Sequence, residues 1–373
     1  MRILAALSGG VDSAVAAARL LRDGAEVIGV HLRTGVEADA ESAGASRSCC
    51  GADDARDARR VAAALDIPFY VVDVSDAFEH VIADFVSAYA SGRTPNPCVL
   101  CNAGVKFGRL REVGEQLDCE AVATGHYARI DRGASGRYRL LRALDLDKDQ
   151  SYVLYRLDQS QLAAARFPLG TVTSKQEVRD EAHALGLEVA AKPDSQDLCF
   201  VPRGDYRAFL RERAPQAMVP GTIVDHDGRT LGSHDGAAGF TVGQRRRLPA
   251  VGSPRYVRAV EADSGTVHVA PREAVLSAHA RVERVNWIET EAPVPGTVIR
   301  VEARIRHAAP PRPARLEAQA DGGAEVTFDA PAFAAAPGQA LVAYVGNAVL
   351  CGGTLSAARN GRRMEPEAGR DAP

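Results

Sequence analysis

The chain has 373 residues, about twice the usual domain size, so we expect two or three domains. Hydrophobic residues make up 46% and charged residues 25%; we find no apolar run of the roughly 20 residues that span a bilayer and no export signal, and therefore expect a cytoplasmic protein. A formal net charge of -3 argues against a nucleic-acid partner unless basic residues are clustered.

The first two hundred residues or so alternate short apolar runs with helical patterns. The apolar runs predict buried parallel strands at residues 3–7, 27–32, 69–74 and 121–124. Apolar residues spaced three and four apart predict helices at residues 12–22, 53–65 and 106–116. This order predicts a doubly wound α/β domain with a parallel sheet over residues 1–205.

A glycine-rich loop lies between the first predicted strand and the first predicted helix, with the sequence Ser-Gly-Gly-Val-Asp-Ser at residues 8–13. Its glycines let the backbone approach a phosphate, and the helix amides and both serine hydroxyls can donate to phosphate oxygens. Asp12 is suited to hold Mg²⁺ through water. The alternative is an ordinary tight turn with a capping serine. The loop lacks the Gly-Lys-Ser/Thr ending of a Walker loop and resembles the PP-loop of ATP pyrophosphatases, which adenylate a carbonyl oxygen.

Two cysteine-containing segments follow. The first, Thr-Pro-Asn-Pro-Cys-Val-Leu-Cys-Asn at residues 94–102, precedes a helix that we expect to begin near Gly104, where the helix dipole stabilises a thiolate. The second, Lys-Pro-Asp-Ser-Gln-Asp-Leu-Cys-Phe at residues 192–200, places a thiol in a polar loop. The Cys-x-x-Cys of the first segment also fits half of a zinc site, but the sequence offers no second pair to complete four ligands.

The chain has seven cysteines, which we interpret as thiols rather than a disulfide framework. Cys49 and Cys50 lie beside a helix start, where either a reactive or an incidental role is open. Cys119 and Cys351 lie in apolar strand contexts, where thiols behave as small hydrophobes. We assign these last two no chemistry.

The pattern changes to β-rich after a predicted helix at residues 206–213, so we expect a small central domain over residues 206–279. Later runs predict a small β-barrel over residues 280–358, with strands at 297–305, 315–318, 325–328 and 341–344. Residues 359–373 are expected to form a flexible tail. Arginines cluster at residues 245–247 and 304–315, as a solvated surface or a patch for nucleic acid.

Further short segments follow the order of a known family: Gly-His-Tyr-Ala-Arg at 125–129, Lys-Asp-Gln-Ser-Tyr at 148–152, Phe-Thr-Val-Gly-Gln-Arg at 240–245 and Pro-Gly-Gln at 337–339. With the loop and the cysteine segments, they make residues 1–355 resemble the tRNA-specific 2-thiouridylases. The resemblance implies ATP-dependent 2-thiolation of the wobble uridine of tRNA, with acceptors for lysine, glutamate and glutamine. The base is adenylated, sulfur comes from a cysteine persulfide, and AMP and pyrophosphate are released.

The resemblance also implies roles for individual residues. Cys101 matches the family nucleophile and Cys199 the cysteine that bears the persulfide, and the two end as a disulfide after sulfur transfer. Residues matching the ATP site are Ala6, Leu7, Ser8, Gly9, Gly10, Val11, Asp12, Ser13, Leu32 and Gly125. Residues matching contacts to tRNA or its target base are Asn96, Pro97, Cys98, His126, Lys148, Asp149, Gln150, Arg306, His307 and Gln339. The implied cofactors are ATP and Mg²⁺; the implied partners are tRNA and a persulfide donor, either a cysteine desulfurase or a relay protein.

Two positions depart from the family pattern. Cys98 stands where many members have Asp, so a carboxylate proton acceptor is not assumed there. Arg306 is followed by His307 instead of Tyr, which keeps a phosphate-binding cation but weakens aromatic stacking. Absent the resemblance, His126 also fits a core histidine. Two rival functions are an adenylating synthetase with a small-molecule acceptor and a zinc-stabilised RNA-binding module without catalysis.

Overall fold

A computed structural model of the protein describes residues 1–36, 52–193, 198–201 and 205–359. Cys49, Cys50, residues 194–197 of the second cysteine segment and nearly all of the expected tail lie outside the described residues.

The first part of the chain forms a five-stranded parallel sheet and a separate hairpin. The strands are β1 (Arg2–Ala6), β2 (Glu26–Arg33), β3 (Phe69–Asp73), β4 (Ala121–Ala123), β5 (Ala128–Arg132), β6 (Tyr138–Arg142) and β7 (Ala165–Arg166). The sheet has the order β3-β2-β1-β4-β7, and β5 pairs with β6 as the hairpin. All four predicted strands are confirmed, and their carboxyl ends meet at the edge where the glycine-rich loop leaves β1.

Helices cover both faces of this sheet. They are α1 (Val11–Arg22), α2 (Ala52–Ala64), α3 (Ser75–Ala90), α4 (Pro97–Leu100), α5 (Leu110–Gln116), α6 (Gln159–Ala164) and α7 (Lys175–Ala184). Alternate residues of β1 enter different cores: Leu4 joins a cluster with α3 and α5, whereas Ile3 joins one with α1 and α2. This alternation gives the doubly wound arrangement that the sequence predicts.

The predicted helix at residues 106–116 is wrong at its start. Helical structure begins at Pro97, continues as a π-helical segment over Cys101–Arg109, and ends with α5. Proline is favoured in the first turn of a helix because its missing N–H has no intrahelical acceptor there. Both cysteines of the Cys-x-x-Cys therefore lie inside the helical segment instead of before it.

The central part of the chain contains α8 (Tyr206–Arg213) and a four-stranded sheet. Its strands are β8 (Gly221–Val224), β9 (Thr230–His234), β10 (Tyr256–Glu261) and β11 (Thr266–Ala270). They pair in the order β10-β11-β8-β9 around a small core of Ile223, Val257, Val267 and Val269. The predicted helix at residues 206–213 is confirmed.

The last described part of the chain is a closed six-stranded barrel. Its strands are β12 (Leu276–Trp287), β13 (Val298–Arg304), β14 (Arg312–Ala318), β15 (Ala324–Phe333), β16 (Ala340–Val345) and β17 (Ala348–Arg359). Pairing of β12 with β17 closes the barrel. Strand β17 also pairs with β6, where the Arg142 N–H donates to the Asn347 carbonyl at 2.8 Å, so the hairpin joins the barrel to the first domain.

Short 3₁₀ helices connect these elements at Ser151–Val153, Glu188–Ala191, Pro215–Ala217, Ala237–Gly239 and Arg272–Val275. Across the ranges that the structure describes, no helix has both the length and the apolar character needed to cross a membrane.

Candidate active site

The glycine-rich loop connects β1 to α1 at the carboxyl edge of the parallel sheet. Gly9 has a φ of +72°, and a Cβ placed there would lie 2.4 Å from the Asp54 carbonyl oxygen, so only glycine fits. The Ser13 hydroxyl donates to the Gly10 carbonyl at 3.0 Å and lies 3.2 Å from the Ser8 hydroxyl. Gly10 occupies the N-cap of α1 and has no side chain to cap the helix, so the first amides are suited to an anionic ligand.

Asp12, in the first turn of α1, is bound by protein groups instead of being open to a metal ion. The Lys175 ammonium donates to both carboxylate oxygens at 2.6 and 2.7 Å, and the Tyr127 hydroxyl donates to Oδ1 at 2.7 Å. An ammonium at this distance neutralises the carboxylate and repels a divalent cation. The expectation that Asp12 holds Mg²⁺ therefore does not fit this arrangement.

Gly125 follows β4 and lies directly against the loop. A Cβ at this position would be 2.7 Å from the Ser13 amide nitrogen and 2.8 Å from the Asp12 carbonyl carbon. Leu32, near the end of the neighbouring strand β2, is buried, and Leu7 donates its N–H to the Val30 carbonyl at 2.7 Å. The residues matched to the ATP site therefore surround one edge of the sheet.

Two lysines at the loop were not predicted as functional residues. Besides Lys175, Lys192 donates to the Gly9 carbonyl at 2.9 Å and to carboxylate oxygens of Asp54 and Asp57 at 2.7 and 2.6 Å. Partial burial opposes its charge, but the two carboxylates outweigh burial and raise the pKa of Lys192. Lys192 is the first residue of the second cysteine segment, and its place in that motif was the one sequence feature that could have marked it as functional.

The three predicted functional cysteines lie in two segments on one side of the sheet. Cys98 is exposed in α4, whereas Cys101 at the start of the π-helical segment and Cys199 are partly buried. Cys101 and Cys199 pack against the same hydrophobic cluster, the one that includes Leu4 and Leu32. The structure therefore brings two segments that are distant in sequence to one core.

Aromatic packing fixes the second cysteine segment in this place. The ring of Phe200, next to Cys199, makes edge contacts with Phe78 and Phe85 of α3 at centroid distances of 5.8 and 5.1 Å. Helix α3 in turn contacts α4, which carries Cys98. Such aromatic contacts anchor the residue beside Cys199 while the thiol itself stays partly accessible.

Several residues matched to tRNA contacts have internal partners. His126 is buried, its Nδ1 is 2.7 Å from the Thr124 hydroxyl, and burial, with a smaller effect of Lys106, holds its pKa well below 6.5. Asp149 is 2% exposed and accepts hydrogen bonds from the N–H and hydroxyl of Ser151 and from Arg304. In this arrangement both side chains are buried and bonded within the protein, and Asp149 shapes the turn that carries Lys148 and Gln150.

Gln150 and Gln339 both fix backbone segments. Gln150 accepts from the Tyr127 N–H at 2.9 Å, next to His126. Gln339 donates through Nε2 to the Thr94 and Pro95 carbonyls, each at 3.1 Å, and so ties the barrel to the segment that enters α4. Asn96 occupies the N-cap of α4, and Pro97 is buried behind it.

The Arg306-His307 pair lies between the barrel and the central domain. The Arg306 guanidinium donates to the Ala334 carbonyl at 2.6 Å and the Val242 carbonyl at 3.3 Å, and burial lowers its pKa. These bonds commit it to the interface between the two parts. His307 is exposed, and the centroid of its ring lies 6.0 Å from that of Tyr152 in an edge-to-face arrangement.

Comparison with known families covers nearly the whole described chain. Residues 1–203 match the "tRNA methyl transferase HUP domain", residues 207–271 the "tRNA methyl transferase PRC-barrel domain" and residues 277–355 the "Aminomethyltransferase beta-barrel domain". A protein of Beutenbergia cavernae named "tRNA-specific 2-thiouridylase MnmA" is 49% identical over 365 residues, which cover 96% of this chain and 95% of that one. Two relatives of the same name are each 47% identical over 363 residues. The one from Geotalea uraniireducens aligns over 96% of this chain and 96% of its own, and the one from Streptomyces coelicolor over 95% of this chain and 95% of its own.

The chain belongs to the tRNA-specific 2-thiouridylase family. The resemblance inferred from the ordered motifs is thereby confirmed, and so is the fold class: a PP-loop domain, a small β-rich central domain and a C-terminal barrel.

The rival zinc reading gains no support from the described residues. Within them, the one group of three His, Cys, Asp or Glu side chains with metal-ligand spacing is Asp225, His226 and Asp227, in a turn between β8 and β9. Neither Cys98 nor Cys101 belongs to it. The comparisons place the Cys-x-x-Cys of this thiouridylase family member in a domain of the HUP class.

Proposed function

We propose that the protein catalyses ATP-dependent 2-thiolation of the wobble uridine of tRNA, by adenylation of the base and sulfur transfer from a persulfide on Cys199. Relatives named for this activity align with nearly the full chain. One observation carries the proposal to individual residues: Cys101 and Cys199, from separate segments, pack against one large hydrophobic cluster, which extends from the sheet that bears the phosphate loop into the central domain and the barrel. A synthetase that transfers ammonia to a small molecule gives these two thiols no role.

The residues of the loop fit the phosphates of ATP. Bound ATP supplies the chemistry that converts the uridine O2 into a leaving group, with pyrophosphate as the product. The amides at the start of α1 and the Ser8 hydroxyl donate to phosphate oxygens, and the Ser13 hydroxyl joins them by exchanging its bond to the Gly10 carbonyl for one to phosphate. Lys175 and Lys192 neutralise carboxylates beside the loop, which lessens their repulsion of a polyphosphate. No step is assigned to Mg²⁺ at Asp12.

The two cysteines complete the reaction by transferring one sulfur atom to the uridine and forming a disulfide with each other. The terminal sulfur of the Cys199 persulfide forms a bond to C2 of the activated uridine, and the C2–O bond to AMP breaks. The Cys101 thiolate then attacks Sγ of Cys199, and breakage of the sulfur–sulfur bond leaves C2 as the thiocarbonyl. An alternative order, in which Cys101 first releases sulfide, gives the same products. Both end in 2-thiouridine, AMP and a disulfide, which a thiol reductant resets.

The partners follow from this chemistry. The target base must leave its stack in the anticodon loop to reach a thiol, and an unpaired loop permits this. A persulfide on Cys199 requires a protein or small-molecule donor of sulfane sulfur, for which we propose a cysteine desulfurase or a relay protein.

The test is a reconstituted reaction. Purified protein, unmodified tRNA, ATP, Mg²⁺ and a persulfide donor are incubated, and the tRNA nucleosides are then analysed by mass spectrometry. We expect 2-thiouridine in the wobble position and one AMP for each thiolated tRNA. Omission of ATP or donor is the control. Thiolation that proceeds at an undiminished rate without ATP would refute the adenylation step, and AMP formation without any thiouridine would refute sulfur transfer.

A further inference from the structure

A polar cavity lies where the first domain meets the barrel, apart from the glycine-rich loop. It has a volume of about 150 Å³ and is bounded by the end of α3, the segment that enters α4, Tyr155 and Arg156, and strands β12 and β17 of the barrel. Asn96 and Leu100 form part of its wall. Leu100 directly precedes Cys101, so the cavity shares a wall with the cysteine segment.

Three arginines from three different parts of the chain line this cavity: Arg93 after α3, Arg156 from the first domain, and Arg284 on β12. Within the described parts of the chain, none of them has an ion pair with a carboxylate; Arg284 donates to the Thr354 hydroxyl at 3.3 Å. Asp84 is the one acidic residue in the lining. The local charge is therefore positive, although the chain as a whole is acidic.

Arg93 has an unpaired donor beside this cavity. Its Nη2 atom is shielded from solvent, and among the described residues no group accepts a hydrogen bond from it. Buried guanidinium N–H groups are normally paired, because an unmet donor loses its bonds to water without replacement. Gly338 packs against Arg93: a Cβ there would lie 3.0 Å from Arg93 Cβ and 2.9 Å from the Thr94 amide nitrogen. The backbone around Arg93 is therefore held tightly, while Nη2, which has no acceptor among the described residues, gains one from a ligand only when the guanidinium turns toward the cavity.

We propose that this cavity, which we call the arginine cavity, binds a phosphate group of the RNA backbone beside the target nucleotide. The inference rests on the proposed function for the identity of the RNA. A phosphodiester supplies several acceptors and one negative charge, which match converging guanidinium donors. RNA is favoured over free inorganic phosphate because the wall contains Asn96, one of the residues matched to the target base, so a nucleotide at that segment brings its own phosphate near the cavity.

The test compares tRNA binding by the wild type and an Arg156→Ala/Arg284→Ala variant at several salt concentrations. We expect about a tenfold loss of affinity and a log–log salt slope that is lower by about one unit for the lost phosphate contact. Arg93→Lys is a second variant, which keeps the charge but cannot supply the same planar set of donors, and we expect it to weaken tRNA binding as well. Arg22→Ala is the matched control: it removes an exposed arginine from the last residue of α1, at the opposite edge of the sheet from the loop.

Each outcome has a defined meaning. Equal affinity and salt slope in the double variant and the Arg22→Ala control would overturn the inference. A second experiment measures how strongly inorganic phosphate inhibits tRNA binding, with chloride at the same ionic strength as the reference. Stronger inhibition by phosphate in the wild type but not in the double variant, together with an unchanged tRNA salt slope, would assign the cavity to a free anion and refute the RNA assignment.

Thiolation is measured in the same samples, so that failure of this inference is separable from failure of the proposed function. If the wild type forms 2-thiouridine and the double variant binds tRNA normally, only the arginine cavity is refuted. If the wild type forms none under any condition, the proposed function itself is refuted. We expect the double variant to raise the KM for tRNA more than it lowers kcat, while the ATP affinity measured without tRNA stays unchanged.

Discussion

Substitution of Gly125 by alanine tests whether the phosphate loop depends on a close approach between two backbone segments. The added Cβ would lie 2.7 Å from the Ser13 nitrogen and 2.8 Å from the Asp12 carbonyl carbon. Ordinary van der Waals contact begins at 3.4 Å, so the nearest approach is about 0.7 Å too short. Both contacted atoms belong to the backbone of α1, and no flexible side chain can move aside. The loop or β4 must shift.

Overpacking of this kind costs about 1–3 kcal/mol of unfolding free energy. A displacement approaching 1 Å at a site that orients reacting groups reduces the rate by about 100-fold. We therefore expect Gly125→Ala to lower the free energy of unfolding by about 1–3 kcal/mol. We also expect it to weaken ATP binding at least tenfold. Chemical denaturation measures the first effect, and titration calorimetry with ATP measures the second.

Gly104→Ala is the control for this experiment. Gly104 lies in the π-helical segment, and a Cβ there meets nothing within 4 Å among the described residues. The same substitution should therefore leave ATP binding unchanged and stabilise the protein by up to about 1 kcal/mol, because alanine restricts the unfolded chain. Wild-type stability and ATP affinity in Gly125→Ala would refute the argument from close contact.

Three further predictions follow from side chains whose surroundings the structure defines. Gln339→Ala removes both bonds to the segment entering α4, so we expect a loss of about 1–2 kcal/mol in denaturation and slower thiolation; Gln319→Ala, which removes one long bond on the barrel surface, should have neither effect. His126 has a pKa well below 6.5 when folded, so the unfolded chain binds a proton that the folded chain does not. Stability should consequently fall by up to about 1.4 kcal/mol per unit as the pH drops below about 6.5, and a His126→Gln variant that kept this slope would contradict the assignment. Replacing the exposed arginines 245–247 by alanine should reduce the salt slope of tRNA binding and leave the melting temperature unchanged. Arg306→Ala should instead lower the melting temperature, because it removes bonds between the barrel and the central domain. A reduced salt slope and an unchanged melting temperature in Arg306→Ala would show that Arg306 is the RNA contact.

Local patterns in the sequence predicted the parallel sheet and its loop because each strand is a short apolar run bounded by turns. They did not predict β12 and β17, the two strands that close the barrel. Their burial follows from the pairing of β12 with β15 and β17 and from the pairing of β17 with β6, and neither segment encodes these partners. Helix α3 was also missed, although five of its apolar residues are buried at helical spacing. The start of the helical segment at Pro97 was readable from proline's preference for a first helical turn.

The site shows the same division between local and distant information. The loop at residues 8–13 was identified from its own residues, but the partners of Asp12 were not, because Tyr127 and Lys175 are far away in sequence. Motif order marked Gln339 as a tRNA contact, which stays a prediction, whereas its internal bonds were not predicted. Its contact with the segment entering α4 depends on how the barrel packs on the first domain, and no local pattern indicates that packing.

The central claim is that sulfur passes through Cys199 and Cys101. The most direct measurement is single-turnover formation of 2-thiouridine by persulfide-loaded protein, followed by nucleoside mass spectrometry, for the wild type and for Cys101→Ser, Cys199→Ser and Cys98→Ser. We predict no thiouridine from the first two variants, with tRNA binding and AMP formation retained, and at most a moderate reduction from Cys98→Ser. The wild type, without reductant, should accumulate a Cys101–Cys199 disulfide, which requires the two Cα atoms to lie within about 7 Å at that stage. Full thiolation by Cys199→Ser together with complete loss in Cys98→Ser would contradict the account and identify the Cys-x-x-Cys pair as the sulfur-handling site.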